Sequence, residues 1–82
     1  MAKILMRRQI DLHGCTRKEA KQILDYTLEH LPKGAHELVV VHGYSTTVLL
    51  NYVRKTYTHP RIREKIVETN PGQTVYLLKT HY

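Results

Sequence analysis

The sequence predicts an α/β fold in the order β-α-β-α-β-β, with a mixed four-stranded sheet and both helices on one of its faces. Three observations predict it. An alternating stretch ending in Ile10-Asp11-Leu12-His13-Gly14 runs directly into a helix start. Val39-Val40-Val41-His42-Gly43 repeats that cadence ahead of a second helical pattern. Further on, Asn70-Pro71-Gly72 separates two short apolar segments, which is strong turn chemistry for an antiparallel hairpin. Successive β-α-β units cross over right-handedly, so the first two strands should be parallel and the second sheet face partly open.

Residues 1–6 are expected to form a ragged or edge segment. The first strand then covers about Arg8 to His13, with Gln9, Asp11 and His13 on one face and Ile10 and Leu12 on the other, the period-two pattern of a strand covered on one side. Thr16-Arg17-Lys18-Glu19 reads as a capping box, in which the Thr16 hydroxyl accepts from the Glu19 N–H and the Glu19 carboxylate reaches back to the Thr16 N–H. The helix it opens carries Ala20, Ile23, Leu24, Thr27, Leu28 and Leu31 on one face and Arg17, Lys18, Lys21, Asp25 and Glu29 opposite. Pro32-Lys33-Gly34 stops it.

Glu37-Leu38-Val39-Val40-Val41 is a continuous, largely β-branched run, the signature of a strand buried on both faces. Gly43 permits a sharp turn, and one of Ser45, Thr46 or Thr47 caps a second helix that buries Leu49, Leu50, Val53 and Tyr57. His59-Pro60 ends that helix, because the residue before a proline is driven out of helical geometry. Residues 62–69 and 74–79 supply the hairpin strands.

Eighty-two residues are expected to make a single domain over 1–82, and one so small buries little more than about 60% of its unfolded surface. A composition 41% hydrophobic and 24% charged argues against disorder, and without Trp or Phe the core falls to Ile, Leu, Val and Tyr. Thirteen Lys and Arg against seven Asp and Glu give a net charge of +6, with a pI near 9.7. That balance favours a polyanionic partner, nucleic acid before an anionic membrane surface. The plain alternative is charge that serves only solubility. A single cysteine, Cys15, excludes an internal disulfide and fits a reducing cytosol. No apolar run is long enough to span a bilayer, and the apolar part of residues 1–8 is too short for a signal peptide. The expected localisation is cytoplasmic, with no membrane partner; a protein partner is not specified.

In open α/β sheets, ligands settle beyond the carboxyl ends of parallel strands, where helices begin. Both His-Gly corners belong there. Adjacent strands are about 4.8 Å apart, so neighbouring corners would bring His13 and His42 within reach of one phosphodiester. Gly14 and Gly43 would let the backbone approach it. First-turn N–H groups around Thr16 and Thr46, with the Ser45 hydroxyl near the second, could hold non-bridging oxygens. One imidazole could then act as general base on water or a ribose 2′-OH and the other protonate the leaving oxygen, with Asp11 orienting His13 or holding a divalent cation. Arg17 and Lys18, cations at a helix start where the dipole disfavours them, are the best candidates for phosphate contact, with Lys21 one turn on. Tyr44, in the second corner, is a candidate to stack on a base or ribose, with packing over the sheet edge the equal alternative.

Other readings weigh against these. His13 and His42 could be turn histidines bonded to backbone, and Asp11 a carboxylate fixing the loop. Asp11, His13, Cys15 and His42 lack the ligand spacing of a closed zinc site, so no metal site is assigned and a divalent cation is left open. His30, His36, His59 and His81 share no frame and belong on the surface. Arg54, Lys55, Arg61, Arg63 and Lys65 form a second basic group.

These residues resemble the Smr (small MutS-related) domain family. The resemblance begins at Ile10-Asp11-Leu12-His13-Gly14 with Glu19-Ala20, continues at Val41-His42-Gly43, and closes at Gly72-Gln73-Thr74-Val75-Tyr76-Leu77-Leu78. It implies a two-layer α/β sandwich similar to the C-terminal domain of bacterial translation initiation factor three. It also implies DNA or RNA binding, often with endonucleolytic nicking. One departure stands out: His42-Gly43-Tyr44-Ser45 lacks the lysine and the second glycine that the family usually has there. A side chain at position 45 restricts the backbone and the missing cation weakens a phosphate contact, which touches catalysis more than fold. A nuclease using Asp11, His13 and His42, a non-catalytic nucleic-acid- or ribosome-binding module, and a structural partner domain all remain open.

Overall fold

Alternation in the first strand and the unbroken apolar run in the second decide how the sheet is layered. In the computed structural model, which describes residues 7–44 and 47–80, β1 (Arg7–Asp11) and β2 (Glu37–Val41) pair in parallel, joined by helix α1 (Arg17–His30). Helix α2 (Thr47–Asn51) follows, then β3 (Ile62–Val67) and β4 (Gln73–Leu78). The sheet order is β1-β2-β4-β3, with β4 antiparallel to both of its neighbours. The expected mixed sheet and hairpin are therefore present.

Strand burial follows the sequence pattern. Leu38, Val39 and Val40 of β2 are all within 1% of complete burial, the inside position that their continuous apolar run demands. Thr74, Val75 and Tyr76 of β4 are buried beside them. β3, whose Arg63 and Glu64 are exposed, forms one edge, and β1, with exposed Arg8 and Gln9, the other. Between sheet and helices, Leu24, Leu28, Leu49 and Val53 meet Leu38, Val40, Tyr76 and Leu78 in one core.

β1 is shorter than the sequence suggests. It stops at Asp11, because the Asp11 carboxylate captures the His13 N–H (2.9 Å) and so takes that donor out of the ladder. The apolar stripe of α1 is also narrower than expected. Ala20, Leu24 and Leu28 are buried, whereas Ile23 is 38% exposed. The capping box is as expected, with Glu19 N–H to Thr16 Oγ1 at 3.1 Å and Thr16 N–H to Glu19 Oε1 at 2.9 Å.

The second helix departs most. After Asn51 it widens into a π turn, Tyr52–Thr56, closed by Tyr57 N–H to the Tyr52 carbonyl (2.8 Å). At 3.6 residues per turn the row Leu49, Val53, Tyr57 would drift around the helix. The wider turn brings Tyr57 back over the core, where it is 3% exposed and donates to Asp25 Oδ1 at 2.6 Å. Thr47 is itself helical; Ser45 and Thr46, the other cap candidates, lie outside the described residues, as do residues 1–6 and His81.

Part of the second basic group is internal. Arg61 is 1% exposed, and its guanidinium donates to the carbonyls of Leu28, Leu31 and Pro32 at the end of α1. Lys65 donates to the Tyr57 carbonyl. His59, expected on the surface, has a largely buried side chain whose Nδ1 accepts from the Arg61 N–H.

Candidate functional site

The first corner is a tight turn. Leu12, fully buried, anchors it by donating to the Val41 carbonyl (2.7 Å), and the Cys15 N–H closes it on the Leu12 carbonyl (2.9 Å). Gly14 holds φ +84°, the left-handed geometry that a turn of this kind asks of its third residue. The turn lifts Asp11 and His13 into solvent, with side chains 62% and 75% exposed. Their nearest ring contact, His13 Nδ1 to Asp11 Oδ1, is 3.8 Å, an ion-pair distance longer than a hydrogen bond.

At the second corner the N–H groups of His42 and Gly43 both donate to the Gly72 carbonyl (2.8 and 2.9 Å). Gly43 has φ +77°, and a Cβ there would lie 3.8 Å from His13 Cβ, so the two corners touch. The β3–β4 turn is a third member of the site. At buried Gly72 a Cβ would lie 3.3 Å from Asn70 Oδ1 and 3.5 Å from Tyr44 Cδ1. The sequence marks Asn70-Pro71-Gly72 as a hairpin turn and Gly72 as the start of the family-like last segment, but nothing in the local pattern says that the turn also floors a corner thirty residues earlier.

The corners come together, but their imidazoles do not share an environment. His42 is 4% exposed. Its Nδ1 lies 2.7 Å from the Gly43 carbonyl and its Nε2 2.9 Å from Thr74 Oγ1. Arg54 Nε donates to the same Thr74 oxygen (2.9 Å), and its NH2 group to the Gln73 carbonyl (3.0 Å). With His42 neutral the chain is satisfied when Arg54 donates to Thr74, Thr74 to His42 Nε2, and His42 Nδ1–H to Gly43. Burial holds the His42 imidazole below its ordinary pKa, with the Arg54 charge adding to the effect and the Gly43 bond opposing it. His42 thus supports the corner from beneath, while His13 stands on its surface.

The remaining candidates divide similarly. The Thr16 and Glu19 N–H groups are used by the capping box, and the side chains of Arg17 and Lys18 beside them are exposed. Lys21 pairs with Asp25 at 2.6 Å, and that contact raises its pKa. Tyr44 is 68% exposed beside the Gly72 turn. Ser45 and Thr46 lie outside the described residues. Arg54, which the sequence offers only as one of a second basic group, belongs to this corner. Its spacing from Thr74 is visible only once the hairpin is docked against β2.

Among the described residues no three His, Cys, Asp or Glu side chains gather where they could hold a metal ion. A divalent ion at Asp11 would take its other ligands from phosphate and water, a mode that suits magnesium.

A family model described as the Smr domain matches residues 10–74. Among solved structures, the Smr domain of Thermus thermophilus MutS2 matches with a TM-score of 0.77 and 27% sequence identity, covering 88% of this chain and 98% of that one. No curated protein matches the chain.

Proposed function

The chain belongs to the Smr domain family, and from that premise we propose that it binds nucleic acid at its two abutting corners and cleaves a phosphodiester there. One observation carries this reading. Asp11 and His13 stand exposed on a hydrogen-bonded turn in contact with a second glycine corner, and the helix that follows opens with the exposed cations Arg17 and Lys18.

In the proposed reaction, Arg17 and Lys18 hold the phosphate. The His13 ring removes the proton from the attacking oxygen, water or a ribose 2′-OH, as its bond to phosphorus forms and the bond to the leaving oxygen breaks. The leaving oxygen takes its proton from solvent. Asp11 acts on His13 twice: it fixes the backbone N–H, and on closing the 3.8 Å gap to Nδ1 it would select the tautomer with Nε2 free as base. Such bonds are often long without substrate. His42 is a positioning residue in this scheme, keeping Gly43 against His13.

A second reading, a binding module without cleavage, draws support from the burial of His42, which removes one of two imidazoles from the surface. Supercoiled plasmid and structured RNA separate the two. Cleavage by the purified chain that disappears in His13→Ala and Asp11→Asn, both exposed positions, supports the nuclease. Salt-sensitive binding without cleavage supports the module. Failure to bind either polymer at low salt overturns both.

A further inference from the structure

Next to the corners, the surface folds into a cavity of about 300 Å³ between the first turn of α1 and the second helix, lined by Arg17, Thr47, Val48, Asn51, Tyr52 and Thr56. Its lining has no carboxylate. Among the described residues, no side-chain hydrogen bond or ion pair engages Arg17, Asn51, Thr47 or Thr56. Val48 leaves 55% of its surface exposed here. Tyr52 is half-buried, held from behind by Tyr57 at 5.9 Å between ring centroids. A half-buried aromatic and an exposed valine thus share one groove with unengaged donors and acceptors.

The π turn contributes to this arrangement. In a continuous α-helix the row Val48, Tyr52, Thr56 would drift away from α1. The wider turn over Tyr52–Thr56 returns Thr56 to the face that carries Val48. Interruptions of this kind recur at functional sites.

We propose that this groove is a nucleobase subsite, taking one unpaired base of the strand whose phosphate sits at the corners. The base stacks against Tyr52 and Val48, which every base can do through its π-face. The Asn51 amide, a donor and an acceptor in one plane, pairs with the base's exposed edge. Arg17, at the junction of groove and corner, bonds to the adjoining phosphate. In a duplex those edges are paired and the base is stacked on its neighbours, so the groove selects single strands, loops and bulges. The inference rests on the nucleic-acid reading above and narrows its substrate to strands with an unpaired base.

The test is titration of the full chain at low salt with a short single-stranded oligonucleotide, with 2-aminopurine scanned along it, and with the blunt duplex of the same sequence. At one position the 2-aminopurine fluorescence should be quenched on binding, and the single strand should bind roughly tenfold more tightly than the duplex. Asn51→Ala, at an exposed position, should weaken single-strand binding roughly three- to tenfold and leave duplex binding unchanged. Val48→Glu, also exposed, should abolish the quench by placing a carboxylate in the groove. Arg17→Ala should weaken both substrates alike. Equal affinity for strand and duplex, or an Asn51→Ala variant indistinguishable from the parent, overturns the subsite while leaving corner binding intact. Absence of binding to either substrate overturns the nucleic-acid reading and the subsite with it.

Discussion

In the neutral His42 ring one nitrogen donates to the Gly43 carbonyl and leaves the other to accept from the Thr74 hydroxyl, tying the second corner to β4. The neutral ring is the form that fits. Because burial lowers its pKa in the folded protein from 6.5, the unfolded chain binds the proton more readily. The stability contributed by neutral His42 is therefore complete above about pH 6.5 and is lost as the pH falls below it. Urea titrations over that range should show this loss in the parent protein and a flatter profile in His42→Gln. Thr74→Val removes the hydroxyl that links His42 to Arg54 and leaves a buried acceptor and donor unmatched. It should cost about 1–3 kcal/mol, read from the shift of the denaturation midpoint. The sequence makes His13 and Asp11 easy to place, since local turn chemistry puts them in solvent. It cannot do the same for His42, whose cover comes from Arg54 and Thr74 on two later elements.

Individual elements show the same division between local and distant causes. The start of α1 is written in four consecutive residues, and the capping box forms as they dictate. Its end is another matter: a guanidinium thirty residues downstream caps the last carbonyls from inside the core. Arg61→Lys cannot span three carbonyls with one compact ammonium. It should cost more than about 2 kcal/mol in chemical denaturation, a large loss for a conservative exchange. The π turn was equally hidden, because the pattern of Leu49, Val53 and Tyr57 is that of an ordinary helix. What widens the turn is the requirement that Tyr57 reach Asp25, itself held below the usual carboxylate range by Lys21 first and by the Tyr57 hydroxyl second. Tyr57→Phe should lose about 1 kcal/mol in the same measurement.

Over the whole molecule, sheet order and charge placement decide where an anion can be met. Parallel β1 and β2 with a terminal hairpin follow from the connections, but not which hairpin strand docks on β2. Composition holds the answer: β4 reads Gln-Thr-Val-Tyr-Leu-Leu and goes inside, whereas β3 carries Arg63, Glu64 and Lys65 and goes to the edge. The net charge of +6 proves a blunt guide, because Arg54 and Arg61 spend their guanidinium groups on internal carbonyls and Lys21 is paired. Among the described residues, Arg17 and Lys18 are the exposed cations at the helix start after the first corner, while Arg63 sits at the far end of the sheet, beside the Ile62–Leu78 register pair.

This distribution makes a quantitative prediction about salt. Each phosphate neutralised on a single strand contributes about −0.7 to the slope of log K against log salt. Arg17→Ala and Lys18→Ala should therefore each reduce the magnitude of that slope by about 0.7. Arg63→Ala changes the net charge by the same amount and should leave the slope where it was. Equal effects from all three would mean that the strand senses only the overall charge, and that the corners have no special part in holding it. Affinities measured for the parent and the three variants across a salt series check this directly, without requiring the protein to cleave anything.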